Sequence, residues 1–461
     1  MTGAVRAGGD GHRTAGMEAA LRAALRKELP SAVVLRRELH AMPRVSGHEE
    51  PTLKRMLDAL PAGHVEYVAG TGAVLRVGGP GAAIGVRGEL DALPIVERTG
   101  VPWAATNGAM HACGHDVHLA AVVALARAVA AVTAVASGGA DETAGEVVAE
   151  AAAQGAAAAA TEAATEAAAG AAAEAAAGAA AGAAAGTVTE AVAEVAGGPP
   201  SPAPLLVVLQ PREETFPSGA QDVVRSGVLT RHGLRAMVGA HVQPVLAEGT
   251  IACTPGPVNA SSDEFRVVVT GAEGHAAYPH LTRDPVLAMA QVIVAAQQLV
   301  SRAADPMVPT VVTFGTVAAG TTPNAVPGEA VATGTLRTMS QRWREELHGR
   351  FRQVVRDTAR AYGCTADVEI LPGEPILIND HDLALRAGER LREQGWTVSD
   401  ELRSCGADDF ARYGSVAASL MMFVGVDTEA GLHSPRFLPD DEAVAAVAEA
   451  LLAGYLAASH P

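Results

Sequence analysis

Apolar runs and polar breaks divide the chain into two textures. Runs at 73–77 and 82–90 predict strands, the second closing on GELDALP. LLVVLQP at 205–211 reads as a buried parallel strand, and MVGAHVQP at 237–244 as another. A long apolar stretch at 112–132 predicts a helix. A shorter helix is expected at 17–28, stopping near Pro30 and resuming through LRRELHAMP. The first sixteen residues are expected to be a flexible tail. Strands separated by helices imply an α/β sheet.

From about residue 260 the pattern changes. SSDEFRVVVTGAEGH alternates as a strand, DPVLAMAQVIVAAQQLVSRA has a helical period, and VPTVVTFGTVAAG and GEAVATGTLRTMS read as two strands. The helix QRWREELHGRFRQVVRDTARAYG and the strand TADVEIL follow. The order β-α-β-β-α-β is the ferredoxin-like split motif, one compact domain over 260–371. Residues 372–461 return to mixed α/β with the strand ASLMMFVG. A small domain inserted into a larger one, 17–259 with 372–461, is the economical reading.

A third texture interrupts the larger domain at 141–198. Every fourth residue from 142 to 194 is Glu, Gln or Gly, Ala158 excepted, on an alanine background. A four-residue repeat turns a helix through about 400°, so the polar stripe drifts and leaves no constant apolar face. A mobile, partly helical surface insertion is expected. This segment carries nine of the 17 net negative charges and dilutes the composition to 18% charged and 3% aromatic residues. The rest of the 461-residue chain is mildly acidic and, with 49% hydrophobic residues overall, can bury a sizeable core. An acidic chain argues against nucleic-acid partners. Four cysteines are too few for a disulfide framework, and the alanine tract is too polar to span a membrane. No apolar stretch near the N-terminus resembles a signal segment, so a cytoplasmic location is expected.

Candidate chemistry gathers where strands end or helices begin. MHACGHDVH places Cys113 and His115 two apart around Gly114, a spacing that suits a zinc-like ion if the loop is extended. A Cys–His nucleophile pair is the competing reading. After LLVVLQP come Arg212, Glu213 and Glu214; adjacent carboxylates in a loop point apart, so one can hold a metal while the other acts as a base. His241 ends one strand, and His433 follows another in GLHSPRF. Glu89 and Asp91 can orient ligands, since carboxylates set the imidazole tautomer. In the smaller domain, His275 sits in the small-residue turn GAEGHAAYPH, with Asn324 in TTPNAVP and Arg337 in GTLRT as polar contacts.

Taken together, LRRELHAMPRVSGHE, GELDALP, MHACGHDVHLA, LQPREE, GAHVQP, GAEGHAAYPH, TPNAVP, GTLRT, GADDF and GLHSPRF resemble the amidohydrolase branch of the aminoacylase/carboxypeptidase-G metallopeptidase family. The resemblance runs from about residue 20 to the C-terminus, outside the alanine-rich tract. It implies a catalytic domain with a mixed sheet and an inserted ferredoxin-like lid that also forms a homodimer. It implies two divalent metal ions per chain, zinc or manganese, held by Cys113, His115, Glu214, His241 and His433. Glu213 would be the general base, His275 would polarise the scissile carbonyl, possibly in a second subunit's site, and Asp91 would orient the site. Asn324 and Arg337 would contact substrate. The implied reaction is hydrolysis of an N-acyl amino acid to a carboxylate and a free amino acid. Dipeptide cleavage, a cysteine hydrolase and a non-catalytic metal or ligand-binding relative are the alternatives. Glu89-Leu90-Asp91 stands where relatives have Asp-x-Asp, and QPREET where they have QPAEEG. Arg212 beside the base is therefore expected to bear on its pKa or on the pocket.

Overall fold

The computed structural model describes residues 4–138 and 201–459. The alanine-rich segment, 141–198, where a mobile, partly helical insertion is expected, lies wholly outside them. Two main hydrophobic cores, with a third cluster on the opposite face of the larger sheet, divide the described chain.

The larger core begins with α1, Ala4–Ala41, one helix that runs through Pro30. The expected tail is thus helical from Ala4, and the expected stop at Pro30 does not occur. A proline inside a helix costs about 3 kcal/mol, but Leu21 and Leu25 before it and Leu35 and Leu39 after it continue one buried stripe. Packing across that stripe overrides the local preference, and an anchored helix propagates cheaply towards its N-terminus. Next come α2 (Glu50–Ala59), β1 (Val65–Val68), β2 (Gly72–Val77), β3 (Ala83–Glu89), α3 (His115–Ala136), β4 (Leu205–Gln210), α4 (Gly219–Arg225), α5 (Val228–Arg231), β5 (Leu234–Gln243), β6 (Thr250–Ala252) and β7 (Gly256–Asn259). The smaller unit, expected to be the lid, supplies β8 (Asp263–Thr270), β9 (Gly274–His275), α6 (Pro285–Ala296), β10 (Thr310–Ala319), β11 (Ala325–Val326), β12 (Glu329–Thr338), α7 (Gln341–Ala361) and β13 (Thr365–Pro372). The chain closes with β14 (Leu377–Asn379), α8 (His381–Glu393), β15 (Thr397–Ser399), β16 (Ala418–Gly425) and α9 (Glu442–Ser459).

An eight-stranded mixed sheet, in the order β1-β2-β4-β3-β5-β16-β6-β15, forms the larger body. Its centre, β4-β3-β5-β16, is parallel, and β2 joins β4 antiparallel. Every residue of β3 and β4 is buried, as expected of strands covered on both faces. Helices α1, α3 and α9 pack on one another. The apolar composition of α3 and α9 would let each cross a membrane by length, but most of each is buried inside the protein. Register aligns Glu89 with Gln210 and Gly425 with Gln243, so the carboxyl ends of the parallel strands share one edge. In open α/β sheets that edge is where ligands bind.

The second core belongs to an antiparallel sheet in the order β10-β12-β8-β13, with α6 and α7 packed on it. The helices start where side chains cap them: Asp284 accepts from Val286 and Leu287 N–H, and Ser340 from Trp343 N–H. The two strands that lead into and out of this unit run side by side. At Gly373 a Cβ would lie 2.2 Å from the Ser262 carbonyl oxygen, so only glycine fits that approach. Asp263, buried at the same place, accepts from Arg344 Nη2 (2.6 Å), His348 Nε2 (2.7 Å) and Gly373 N–H (3.2 Å).

Candidate metal centre

The turn 111–114 delivers Cys113 and His115 to the carboxyl edge of the sheet. Gly114 caps α3 at φ +81°, and a Cβ there would meet Val242 Cγ2 at 2.4 Å, so glycine is required twice over. His115 Nδ1 lies 2.8 Å from the Asp91 carbonyl oxygen. A carbonyl only accepts, so Nδ1 carries a proton, and Nε2, buried and without a partner, is left facing the cluster. The same logic fixes His241 at the end of β5. Its Nδ1 donates to Val242 O at 2.7 Å, and Nε2 faces Cys113 Sγ at 3.4 Å. His433 enters from the loop after β16, its N–H bonded to Ala112 O at 2.8 Å. It holds φ +64°, a left-handed conformation uncommon outside glycine.

The Glu213–Glu214 loop is held from several sides. Arg212 takes φ +51°, and its backbone N–H donates to Glu49 Oε1 at 3.0 Å; the other oxygen of this buried carboxylate accepts from Thr71 Oγ1 at 2.6 Å. Glu214 N–H donates to Asp91 Oδ2 at 3.0 Å, beside the Ser46 hydroxyl at 2.7 Å. One aspartate therefore orients both His115 and Glu214. Glu214 Oε1 then faces His433 Nε2 at 3.4 Å, while Glu213 Oε2 faces His115 Nε2 at 3.8 Å. The two glutamates diverge as a pair of adjacent loop residues should. The Arg212 guanidinium turns away to Asp222, 2.6 Å distant, and so is not the neighbour that sets the base.

Electrostatics separate these groups. Burial, then Asp408, Glu214 and Asp409, hold Glu213 well above the usual carboxyl range. Burial opposes the charge on His115, yet Asp91 and Cys113 keep its pKa well above normal. Burial and His118 push His241 well below. Burial also pushes the Cys113 thiol far up, against the His115 hydrogen bond. A thiol so disposed is a poor nucleophile by itself, which counts against the cysteine-hydrolase alternative.

Several residues had no assigned role in the sequence reading. His118 lies one turn after His115, a helical neighbour spacing in MHACGHDVH that was legible in principle. It pairs with Glu89 at 3.1 Å and accepts from Val242 N–H at 3.0 Å, bracing the strand end that carries His241. Arg87 is buried between Glu89 (2.5 Å) and Asp408 (2.6 Å). Asp409 accepts from Gln210 Nε2 at 2.8 Å. His111 is buried 6.5 Å from the His115 ring, and burial lowers its pKa to about 4, so it stays neutral.

The lid residues lie elsewhere. His275 is exposed, its Nδ1 accepting from Ala277 N–H at 3.0 Å. Ala276 N–H donates to Asn324 O at 3.0 Å, so these two residues share one corner of the lid. Arg337 Nη1 reaches the Cys405 carbonyl at 3.1 Å, across the junction of lid and body. Among the described residues, no grouping of donor atoms within ligand reach includes His275.

The residues present fit metal ions. Cys113, His115 and His241 form one set of converging donors, and Cys113, Glu214 and His433 a second, sharing the thiol. His115 Nε2 and Glu214 Oε1 are buried without a hydrogen-bond partner, a costly state for atoms that have nothing to bind. Thiolate, imidazole and carboxylate are the donors zinc-type ions take.

A mixed sheet with an inserted lid and a donor cluster at its carboxyl edge is the architecture of a metallopeptidase-type hydrolase. The chain matches the model of Peptidase family M20/M25/M40 over residues 85–139 and 167–455, and it belongs to that family. It is 29% identical to an N-acetylcysteine deacetylase of Bacillus subtilis (strain 168), covering 89% of this chain and 92% of that one. It is 30% identical to an N-acetyldiaminopimelate deacetylase of Listeria monocytogenes, covering 89% and 95%. The Bacillus subtilis YXEP protein, described as a dinuclear metal binding peptidase from the M20 family, superposes with a TM-score of 0.67 at 26% identity, covering 94% of this chain and 98% of that one.

Proposed function

We propose that this protein is a metal-dependent amidohydrolase that cleaves N-acyl amino acids to a carboxylate and a free amino acid. One observation carries the reading: Glu213, a half-buried carboxylate with raised basicity, stands 3.8 Å from His115 beside a cluster of unpartnered metal donors. The deacetylase names of the relatives and the family membership support it.

Cys113, His115, His241, Glu214 and His433 would hold two divalent ions, zinc or manganese, by the softness of the thiol and the borderline character of imidazole. When bound, such ions polarise the amide carbonyl and lower the pKa of water. Glu213 takes the proton of the attacking water and returns it to the leaving nitrogen, a double task suited to a carboxylate with raised pKa. Asp91 keeps the His115 tautomer and the Glu214 backbone in place. His275 donates to the developing oxyanion once a lid covers the site, and Asn324 and Arg337 bind the rest of the substrate.

The same reading includes a homodimer through the lid. β10 is an edge strand with an uncharged, exposed second half, and α6 beside it exposes Val286, Leu287 and Val294. An exposed apolar edge of this kind invites pairing with another chain. A cytoplasmic location accords with four unpaired thiols.

Metal analysis of protein purified without chelator tests the reading. About two ions per chain are expected, one at each of the two donor groups that share Cys113. Chelation should abolish hydrolysis of N-acyl amino acids, and zinc or manganese should restore it. Full activity after exhaustive chelation would overturn it.

A further inference from the structure

Glu213 stands on a loop, and a carboxylate from a distant segment closes that loop. Residues 211–218 leave β4 at Gln210 and enter α4 at Gly219. Gly219 N–H donates to Arg212 O at 3.0 Å, so the two ends of the loop meet. Asp409, 2% exposed, spans that neck. Its two oxygens each accept from Gln210 Nε2 at 2.8 Å on the entering side. Oδ2 also accepts from Ala220 N–H at 3.2 Å on the leaving side. The buried Tyr413 donates its hydroxyl to Gln210 Oε1 at 2.7 Å, which turns the amide nitrogen towards Asp409.

This tie works against electrostatics. The carboxylate oxygens of Glu213, Asp408 and Asp409 lie within 4.8 Å of one another, and like charges at that range repel. Asp408 is secured separately, by Arg87 Nη2 at 2.6 Å and Phe410 N–H at 2.8 Å. Asp409 is held by neutral donors on the neck of the Glu213 loop. A buried carboxylate costs free energy unless it is hydrogen-bonded, and here the bonds go to the two ends of one loop.

Resting on the proposed role of Glu213 as the base, we infer that Asp409 is a positioning residue: by tying Gln210 to Ala220 it closes the neck of the 211–218 loop and fixes where Glu213 stands. It acts through its hydrogen bonds rather than through its charge.

Three variants separate the tie from the charge. Asp409→Ala removes both. Gln210→Met cuts the entering side of the tie and leaves the charge. Asp409→Asn removes the charge and keeps the bonds. Its oxygen can accept from Ala220 N–H and its amide can donate to a turned Gln210, because the Tyr413 hydroxyl can accept as well as donate. With N-acetyl-methionine as substrate for the metal-loaded chain, Asp409→Ala and Gln210→Met should lower kcat by about ten- to a hundredfold, the larger figure being what a misplacement of about 1 Å costs. KM should stay within about twofold, since the loss falls on the transition state. Asp409→Asn should recover most of that loss. Hydrogen exchange across 211–220 in the same proteins should be faster in the first two variants and close to wild type in the third.

Metal content and melting temperature check folding. Should Asp409→Ala fail to fold, Gln210→Met set against Asp409→Asn decides the matter. Equal losses in Asp409→Ala and Asp409→Asn with Gln210→Met unaffected would overturn the inference in favour of charge, and unchanged kcat and exchange in Gln210→Met would overturn it outright. Glu213→Gln is measured alongside. If that protein turns over normally, the base in the proposed function falls, and the exchange rates judge the tie by themselves.

Discussion

The catalytic body and the lid hold their polar residues in opposite ways. In the body, His115, His241 and Glu214 are each tied by a second hydrogen bond to the backbone or to Asp91. Cys113 and His115 are buried, and His433 is anchored through its own N–H. In the lid, His275 and Asn324 are exposed and engage only nearby lid atoms. The body is thus preorganised within one chain. The proposed role of His275 requires that a second surface meet this exposed corner. Preorganisation by burial makes a site rigid; exposure leaves a residue free to act where a second surface completes it.

The strongest way to break this contrast is at the base. Glu213→Gln should lower kcat by about 10²–10⁴-fold with metal content intact. Glu214→Gln should instead lose metal, measured on the same preparations. A Glu213→Gln protein within a few-fold of wild type would place the base elsewhere.

On the lid side, His275→Ala should cost about 10²-fold in kcat, the low end for one oxyanion donor, and leave the metal in place. Mixing this variant with Glu213→Gln sharpens the comparison. If the lid serves a neighbouring subunit, refolded mixtures should recover up to a quarter of wild-type activity, by the statistics of random pairing of two variants, roughly one intact site in four. No recovery in a demonstrated dimer would place His275 over its own chain's site.

A smaller effect concerns the buried support beneath the metal-binding turn. His40 lies between Asp116, 2.9 Å away, and Glu97, 3.1 Å away. Burial opposes its charge, but Asp116 and Glu97 outweigh that and raise its pKa from 6.5 to about 9. A raised pKa means stability that is full below 6.5 and lost as pH climbs through about 9. The melting temperature should therefore fall over that window, and His40→Gln should flatten the fall. A pH-independent melting temperature there would remove the ion pair from the account.

Deletion of 144–197 should have the smallest effect, with kcat/KM within about twofold, because each doubling of a loop adds only about 0.6 kcal/mol of closure entropy. The family match leaves out 140–166 and covers 167–198. A loss of many degrees in melting temperature on deletion would show that the segment is packed against the protein.

Much of the site was legible because its residues sit at sequence punctuation. Cys113 and His115 flank a glycine at a helix start, Glu213 and Glu214 follow an apolar strand, and His241 closes another. What failed to be legible depends on long-range contacts. Pro30 signals a break that burial of the α1 stripe overrides. Arg212 looks like a neighbour of the base, yet its left-handed backbone sends the guanidinium to Asp222. Glu49, 163 residues from Arg212 along the chain, gives no local hint that it holds this loop.

Sequence alone determined most element types, the β-α-β-β-α-β order of the inserted unit and the kinds of donor atom. Those follow from period, turn chemistry and residue identity, which act over a few neighbouring residues. Only the tertiary structure decided that Asp91 orients two different donors and that His275 stands apart from the donor cluster. These are matters of distance and direction between segments far apart in the chain, and only the packing of sheet, helices and lid sets them.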